Sequence, residues 1–89
     1  MLTEQITIVN KLGLHARAAM KLVNMAGRFE SDILITFKNR EVNAKSIMNV
    51  MVLGASKGSN LTLTAEGNDE ADAMTAIKDL INNKFGEHE

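Results

Sequence analysis

Apolar and polar residues alternate from Leu2 to Val9, with Leu2, Ile6 and Ile8 on one face, which predicts a strand over 2–9. The period then changes. From about Ala16 to Ala26, Ala19, Leu22, Val23 and Ala26 recur at helical spacing, and this stretch is dense in good helix formers. Arg17, Met20, Lys21 and Asn24 fall on the opposite side of that helix, and Gly27 is a natural stop. Ser31–Phe37 predicts a second strand, Lys38–Arg40 a hairpin turn and Glu41–Ala44 a short third strand, with Ile33, Ile35 and Val42 inward. Ser46 is placed to cap a short helix over Ile47–Leu53. Ile47, Val50 and Leu53 of that helix face the core, and Met48, Met51 and Val52 face out. Asn60–Glu66 alternates cleanly, turning Leu61, Leu63 and Ala65 inward. A last helix is expected from about Asp69 to Lys84, with Ala73, Met74, Ile77, Leu80 and Ile81 as its buried stripe and Phe85 at its end. The resulting order, βαββαβα, points to an α+β open-faced β-sandwich. In it a four-stranded antiparallel sheet has one face covered by three helices, and residues 1–89 form a single domain.

Composition narrows the function classes. A net charge of -1 gives no support for nucleic acid or a membrane surface as partner. Three Phe with no Trp or Tyr also leave few platforms on which bases would stack. There is no Cys, so thiolate metal sites and disulfides are excluded. Met1–Gln5 runs directly into a strand without a basic start or a long apolar block, so neither a signal peptide nor a membrane span is expected, and the expected location is the cytoplasm. No cofactor or metal site is indicated.

The candidate chemistry lies where the first turn becomes the first helix. Gly13 is free to take a positive φ, and His15 then sits at or just before the first helical turn. The first backbone N–H groups of a helix have no partner within it, and the helix dipole adds partial positive charge there. Such an end favours an anion. A phosphoryl group carried on His15 would meet it, and Arg17 would add charge-assisted hydrogen bonds.

Gly13-Leu-His-Ala-Arg17 with its Ala-rich helix, Lys45-Ser-Ile-Met-Asn-Val-Met51 and Gly54-Ala-Ser-Lys-Gly58 together resemble the histidine-containing phosphocarrier protein (HPr) family of the phosphoenolpyruvate-dependent phosphotransferase system, including its nitrogen-branch paralogue. The resemblance covers essentially the whole chain. It implies that His15 accepts a phosphoryl group on Nδ1 from enzyme I and passes it to enzyme IIA components. It implies that Arg17 steadies the phosphoryl group and that Ser46 is a regulatory phosphorylation site for an HPr kinase/phosphorylase. It places Met20, Asn24, Met48 and Met51 where partners dock, on a monomeric carrier that is not a turnover enzyme. Two positions depart from the family pattern. Ala18 stands where many members have Pro, and Asn49 where members phosphorylated on the serine commonly have Gly.

Each residue also has a plainer reading: His15 as a turn histidine, Arg17 as a solvated helix charge, Ser46 as a helix cap only, and the Met residues as core packing. His88 lies in a polar tail and is read as part of a disordered terminus. Three other functions remain open at this point. One is a nitrogen-branch regulatory carrier rather than a sugar-uptake carrier. Another is a small acyl-phosphate hydrolase with Arg at a loop–helix junction, although the Gly-rich anion cradle that it needs is not evident. The last is a purely regulatory binding protein, which would not need the acceptor histidine.

Overall fold

The computed structural model describes residues 1–89. Four strands form one antiparallel sheet in the order β1-β4-β2-β3: β1 is Leu2–Thr7, β2 Asp32–Phe37, β3 Arg40–Asn43 and β4 Asn60–Glu66. The helices are α1 (Ala16–Ala26), α2 (Ile47–Met51) and α3 (Glu70–Asn82), and a 3₁₀ turn follows at Lys84–Gly86. Because β4 lies between β1 and β2, those two strands run parallel, and α1 crosses over the sheet to join them.

Register decides which side chains reach the core. Ile6 lies opposite Leu61, Ile35 opposite both Leu63 and Val42, and Ile33 opposite Ala65. All are buried and belong to one cluster of 22 buried apolar residues beneath the helices. The alternate positions Thr3, Gln5, Thr36, Thr62 and Thr64 line the uncovered face, and none of them is buried. One apolar face and one wet, threonine-rich face are what an antiparallel sheet with helices on a single side requires.

Element boundaries differ from the sequence expectation in instructive ways. β1 ends at Thr7 because Ile8 leaves the ladder: its N–H donates to the Ser59 carbonyl, and its own carbonyl accepts from Gly58 N–H. The hairpin uses two residues, Lys38 and Asn39, both at positive φ (50° and 67°), so β3 begins at Arg40. This left-handed pair matches the twist of the flanking strands, and Asn tolerates it better than most residues. α2 stops at Met51, and Val52 caps its end. In α1 the buried face is Ala18, Ala19, Leu22 and Ala26, with Val23 only half-buried. In the last helix Leu80 is likewise half-buried, as is Ile47 in α2. Leu14 and Ala55 join the core from loops, where no periodicity announces them, and Ala44 joins it just past the end of β3, in phase with Val42.

Asp69 is not a side-chain cap for α3. Its carboxylate instead accepts from Glu30 N–H (2.9 Å), Ser31 N–H (3.0 Å) and the Ser31 hydroxyl, fastening the start of β2 to the start of α3. The Ser31 hydroxyl, followed by the Glu30 N–H, holds Asp69 below the ordinary carboxylate range.

At the far end α3 does not continue to Lys84. Lys84 and Phe85 take φ of 58° and 55°, reversing the chain so that the Phe85 ring enters the core with no exposed surface. A left-handed non-glycine residue costs roughly 1–2 kcal/mol. Burying a Phe side chain contributes about 1.5–3 kcal/mol, which offsets much of it. Lys21 Nζ on α1 also donates to the Phe85 carbonyl at 2.6 Å. Phe85→Ala is expected to destabilise the chain by about 3–5 kcal/mol, measured by urea unfolding, because it removes a fully buried ring and the anchor of the tail. A loss below about 1 kcal/mol would show that the ring is not part of the core.

Candidate functional site

The site is assembled where the β1–α1 loop, the β4-side loop and the C-terminal tail meet. Gly13 is at φ +69°, and a Cβ there would lie 2.7 Å from both the Ala55 carbonyl oxygen and Ser56 Cα. Glycine therefore lets the loop before α1 press against residues 55–56. Leu14 N–H donates to the Ala55 carbonyl at 2.8 Å, and the Leu14 side chain is buried below it. Asn10, fully buried, donates from Nδ2 to the Gly13 carbonyl at 2.8 Å. These contacts leave residue 15 little freedom in where it begins the helix.

His15 is the N-cap of α1, in extended conformation (φ -74°, ψ 179°), and its carbonyl accepts from Ala19 N–H at 2.8 Å. Its side chain does what Ser or Asp usually does at this position. Nδ1 accepts from Arg17 N–H at 3.3 Å. The other ring nitrogen, Nε2, meets Oε2 of Glu87. A backbone N–H only donates and a carboxylate only accepts, so these partners together assign the neutral ring with its proton on Nε2 and its lone pair on Nδ1. The lone pair thus points at the positive end of α1. About a quarter of the His15 side chain is exposed (27%), enough for a reacting group to reach it.

Arg17 is exposed on the first turn, two residues beyond His15, and its guanidinium is engaged in no ion pair. It is free to turn toward an anion on His15. Lys11, His15, Arg17, Glu87, His88 and Glu89 line a cleft of about 630 Å³ over the ring. Its wall is thus shared by the loop before α1, the start of α1 and the tail. The reading of His88 as part of a disordered terminus is corrected by this arrangement. Lys11 N–H donates to the Glu89 carbonyl, Lys11 Nζ lies 3.3 Å from a Glu89 carboxylate oxygen, and Asn10 Nδ2 donates to Glu87 Oε1 at 3.0 Å. Glu87 and Asn10 were missed from sequence because each pairing spans most of the chain. The one available signal was the apolar Phe85 just ahead of the tail, which implied an anchored end.

Ser46 is the N-cap of α2 (φ -110°, ψ 113°), its hydroxyl oxygen accepting from Asn49 N–H at 3.5 Å. Asn49 is therefore used through its backbone, and its exposed side chain leaves that cap intact. Ala18 is the third helical residue and is fully buried. Its N–H precedes the first intrahelical bond, so proline at this position would have cost the helix no hydrogen bond. Met20, Met48 and Met51 are exposed (59%, 74% and 46%), as are Val52 and Asn24. α1 packs against α2, so these side chains stand on neighbouring helices rather than in the core.

Glu87 is held below the ordinary glutamate range, first by the His15 ring N–H and then by the Asn10 amide. A lowered folded value means that the stability it contributes is present above the ordinary value of about 4.5 and is lost as pH falls through the folded value. Acid titration followed by amide NMR is therefore expected to release Lys11 and Glu87–Glu89 together at a pH below 4.5, before the sheet unfolds. Tail signals that titrate independently of Lys11 would contradict this.

The chain from residue 2 to residue 83 matches a family model described as the PTS HPr component phosphorylation site. It is 53% identical over 89 residues, the full length of both chains, to the phosphocarrier protein HPr of Cupriavidus necator. A crystal structure of HPr-C-His from Thermoanaerobacter tengcongensis superposes on it with a TM-score of 0.96, at 49% identity and complete coverage of both chains. An HPr dimer from the same organism is also similar, with a TM-score of 0.79 and 50% identity over 98% of this chain and 100% of that one.

Proposed function

The chain belongs to the histidine-containing phosphocarrier (HPr) family of the phosphotransferase system, and from that premise we propose that it accepts a phosphoryl group from enzyme I on His15 Nδ1 and delivers it to enzyme IIA components. The observation that carries this reading is the tautomer at the helix start: the Nδ1 lone pair faces the N-terminus of α1, and the proton sits on Nε2. A phosphoryl group bonded to Nδ1 would displace the ring from Arg17 N–H and take its place before the free N–H groups of the first turn. Transfer of this kind needs positioning and charge stabilisation more than covalent help. Arg17 supplies the second of these, with a fork of donors suited to phosphoryl oxygens.

The partners dock on the exposed face bearing Met20, Asn24, Met48 and Met51. Flexible Met side chains adapt to differently shaped surfaces, which suits a carrier that must meet both a donor and several acceptors. Phosphorylation of Ser46 by an HPr kinase/phosphorylase would set a charge of about -2 beside Met48 and Met51 and oppose docking there. The carrier acts in the cytoplasm as a single-domain monomer. No helix is long and apolar enough to cross a membrane. A hydrolase is the weaker reading, because each relative named above is an HPr and none a phosphatase.

Incubation with phosphoenolpyruvate and enzyme I is expected to label the chain with an acid-labile phosphate that persists until an enzyme IIA is added. His15→Ala should take no label. Arg17→Ala should fold normally but accept phosphate more slowly, by on the order of tenfold or more. Acid-labile labelling of His15→Ala at the normal rate would overturn the reading, and running the assay with sugar-branch and nitrogen-branch enzyme I separates the two systems. HPr kinase and ATP should add an acid-stable phosphate to the wild type and none to Ser46→Ala. Equal labelling of both would remove Ser46 as the control site.

A further inference from the structure

The tail beyond residue 83 lies outside the matched family segment, yet it makes the most specific contact with the acceptor ring. We infer that Glu87 is a positioning residue for His15: its carboxylate accepts the Nε2 proton, fixes the tautomer and orients Nδ1 toward the incoming phosphoryl group. The inference rests on the carrier reading above and adds to it a residue that the histidine motif does not contain.

Three observations carry it. First, Glu87 is itself held on both carboxylate oxygens, Oε2 by the His15 ring and Oε1 by Asn10 Nδ2 at 3.0 Å. Asn10 is fully buried and also braces the Gly13 carbonyl, so the same amide positions the loop and the carboxylate. Second, the backbone around Glu87 is anchored. Glu87 N–H donates to the Lys84 carbonyl at 2.9 Å, Phe85 is buried, and Lys11 N–H donates to the Glu89 carbonyl beyond it. Third, the pair is partly shielded, the Glu87 side chain being 18% exposed and His15 27%. The other titratable or charged side chains around the pair are Lys11, Arg17, Lys21, His88 and Glu89. Of the carboxylates around this cleft, only that of Glu87 meets the ring.

The chemistry gives that carboxylate work to do. Nδ1 attacks phosphorus with its lone pair. The Nδ1–P bond forms as the bond from phosphorus to the donor breaks, and the donor leaves with that electron pair. No proton need move in this step, since the Nε2 proton stays where it is. The ring, having given up a lone pair, acquires positive charge shared with Nε2, and the Glu87 carboxylate lies against that nitrogen. A carboxylate that holds an imidazole in one tautomer and stabilises its developing charge is a recurring device wherever histidine gains charge during a reaction. Onward transfer reverses the sequence and returns the neutral ring to the same partner.

The test uses the full chain with its histidine ring nitrogens labelled with ¹⁵N, at a pH of about 8, where an ordinary histidine is neutral. Wild type should show a protected, downfield Nε2–H proton and an unprotonated Nδ1. Glu87→Ala should lose the protected proton and show averaged ring signals. Glu87→Gln, whose amide oxygen still accepts, should keep the Nε2–H tautomer. In single-turnover transfer from phosphorylated enzyme I, Glu87→Ala should be slower by about tenfold or more, with Glu87→Gln between it and wild type. Identical ring signals in wild type and Glu87→Ala would overturn the inference, as would altered ring signals with an unchanged transfer rate. If wild type itself accepts no phosphate, the carrier reading fails, and the ring signals still decide whether Glu87 holds His15.

Discussion

The site depends on one close approach: the backbone at Gly13 lies against Ala55 and Ser56 with no room for a side chain between them. That approach sets where the loop after β1 ends and where α1 begins, and so makes residue 15 the N-cap. A histidine one position later would sit in the first helical turn, where its ring could not accept from the N–H two residues on. The usual capping residues are small because they need only an oxygen. Here an imidazole does that job and keeps its second nitrogen for a different partner.

Everything else in the fold is placed so that this junction is firm and one side of it is open. The sheet buries Ile6, Ile33, Ile35, Leu61, Leu63 and Ala65 against α1 and α3, while its threonine-bearing face is left to water. α1 is packed through small residues, Ala18, Ala19 and Ala26, around Leu22, and it lies against α2 and α3. Its outer side therefore carries the exposed residues, Arg17, Met20 and Asn24. The short α2 adds Met48 and Met51 next to them, and the core beneath is closed by Val50 and Leu53. The result is a small exposed apolar group on a rigid base, the kind of surface feature that marks interaction sites.

The tail shows how local strain serves a distant site. Lys84 and Phe85 adopt left-handed backbone angles that neither residue favours by itself. They are held there by the burial of the Phe85 ring and by the bond from Lys21 to the Phe85 carbonyl. The reversal they produce sends Glu87 back across the molecule to His15, so that the first and last segments of the chain close the same cleft. A straight continuation of α3 would have carried those acids into solvent.

Much of this was legible in the residues alone. Alternation found all four strands, helical spacing found all three helices, and glycine before histidine marked the turn-to-helix junction of the candidate site, because each of these signals is local and is written within a few residues. The exposed Met residues were also readable, since the core faces of both helices were already filled by other side chains. What the sequence could not show is what depends on two distant segments meeting. It could not show Asp69 fastening β2, the burial of Leu14 and Ala55 from loops, or the pairing of His15 with a glutamate 72 positions away. Periodicity reports the environment of an element, whereas a contact between loop and tail has no period. Only packing, by fixing where Phe85 enters the core, decided that the polar end of the chain would return to the histidine near its beginning.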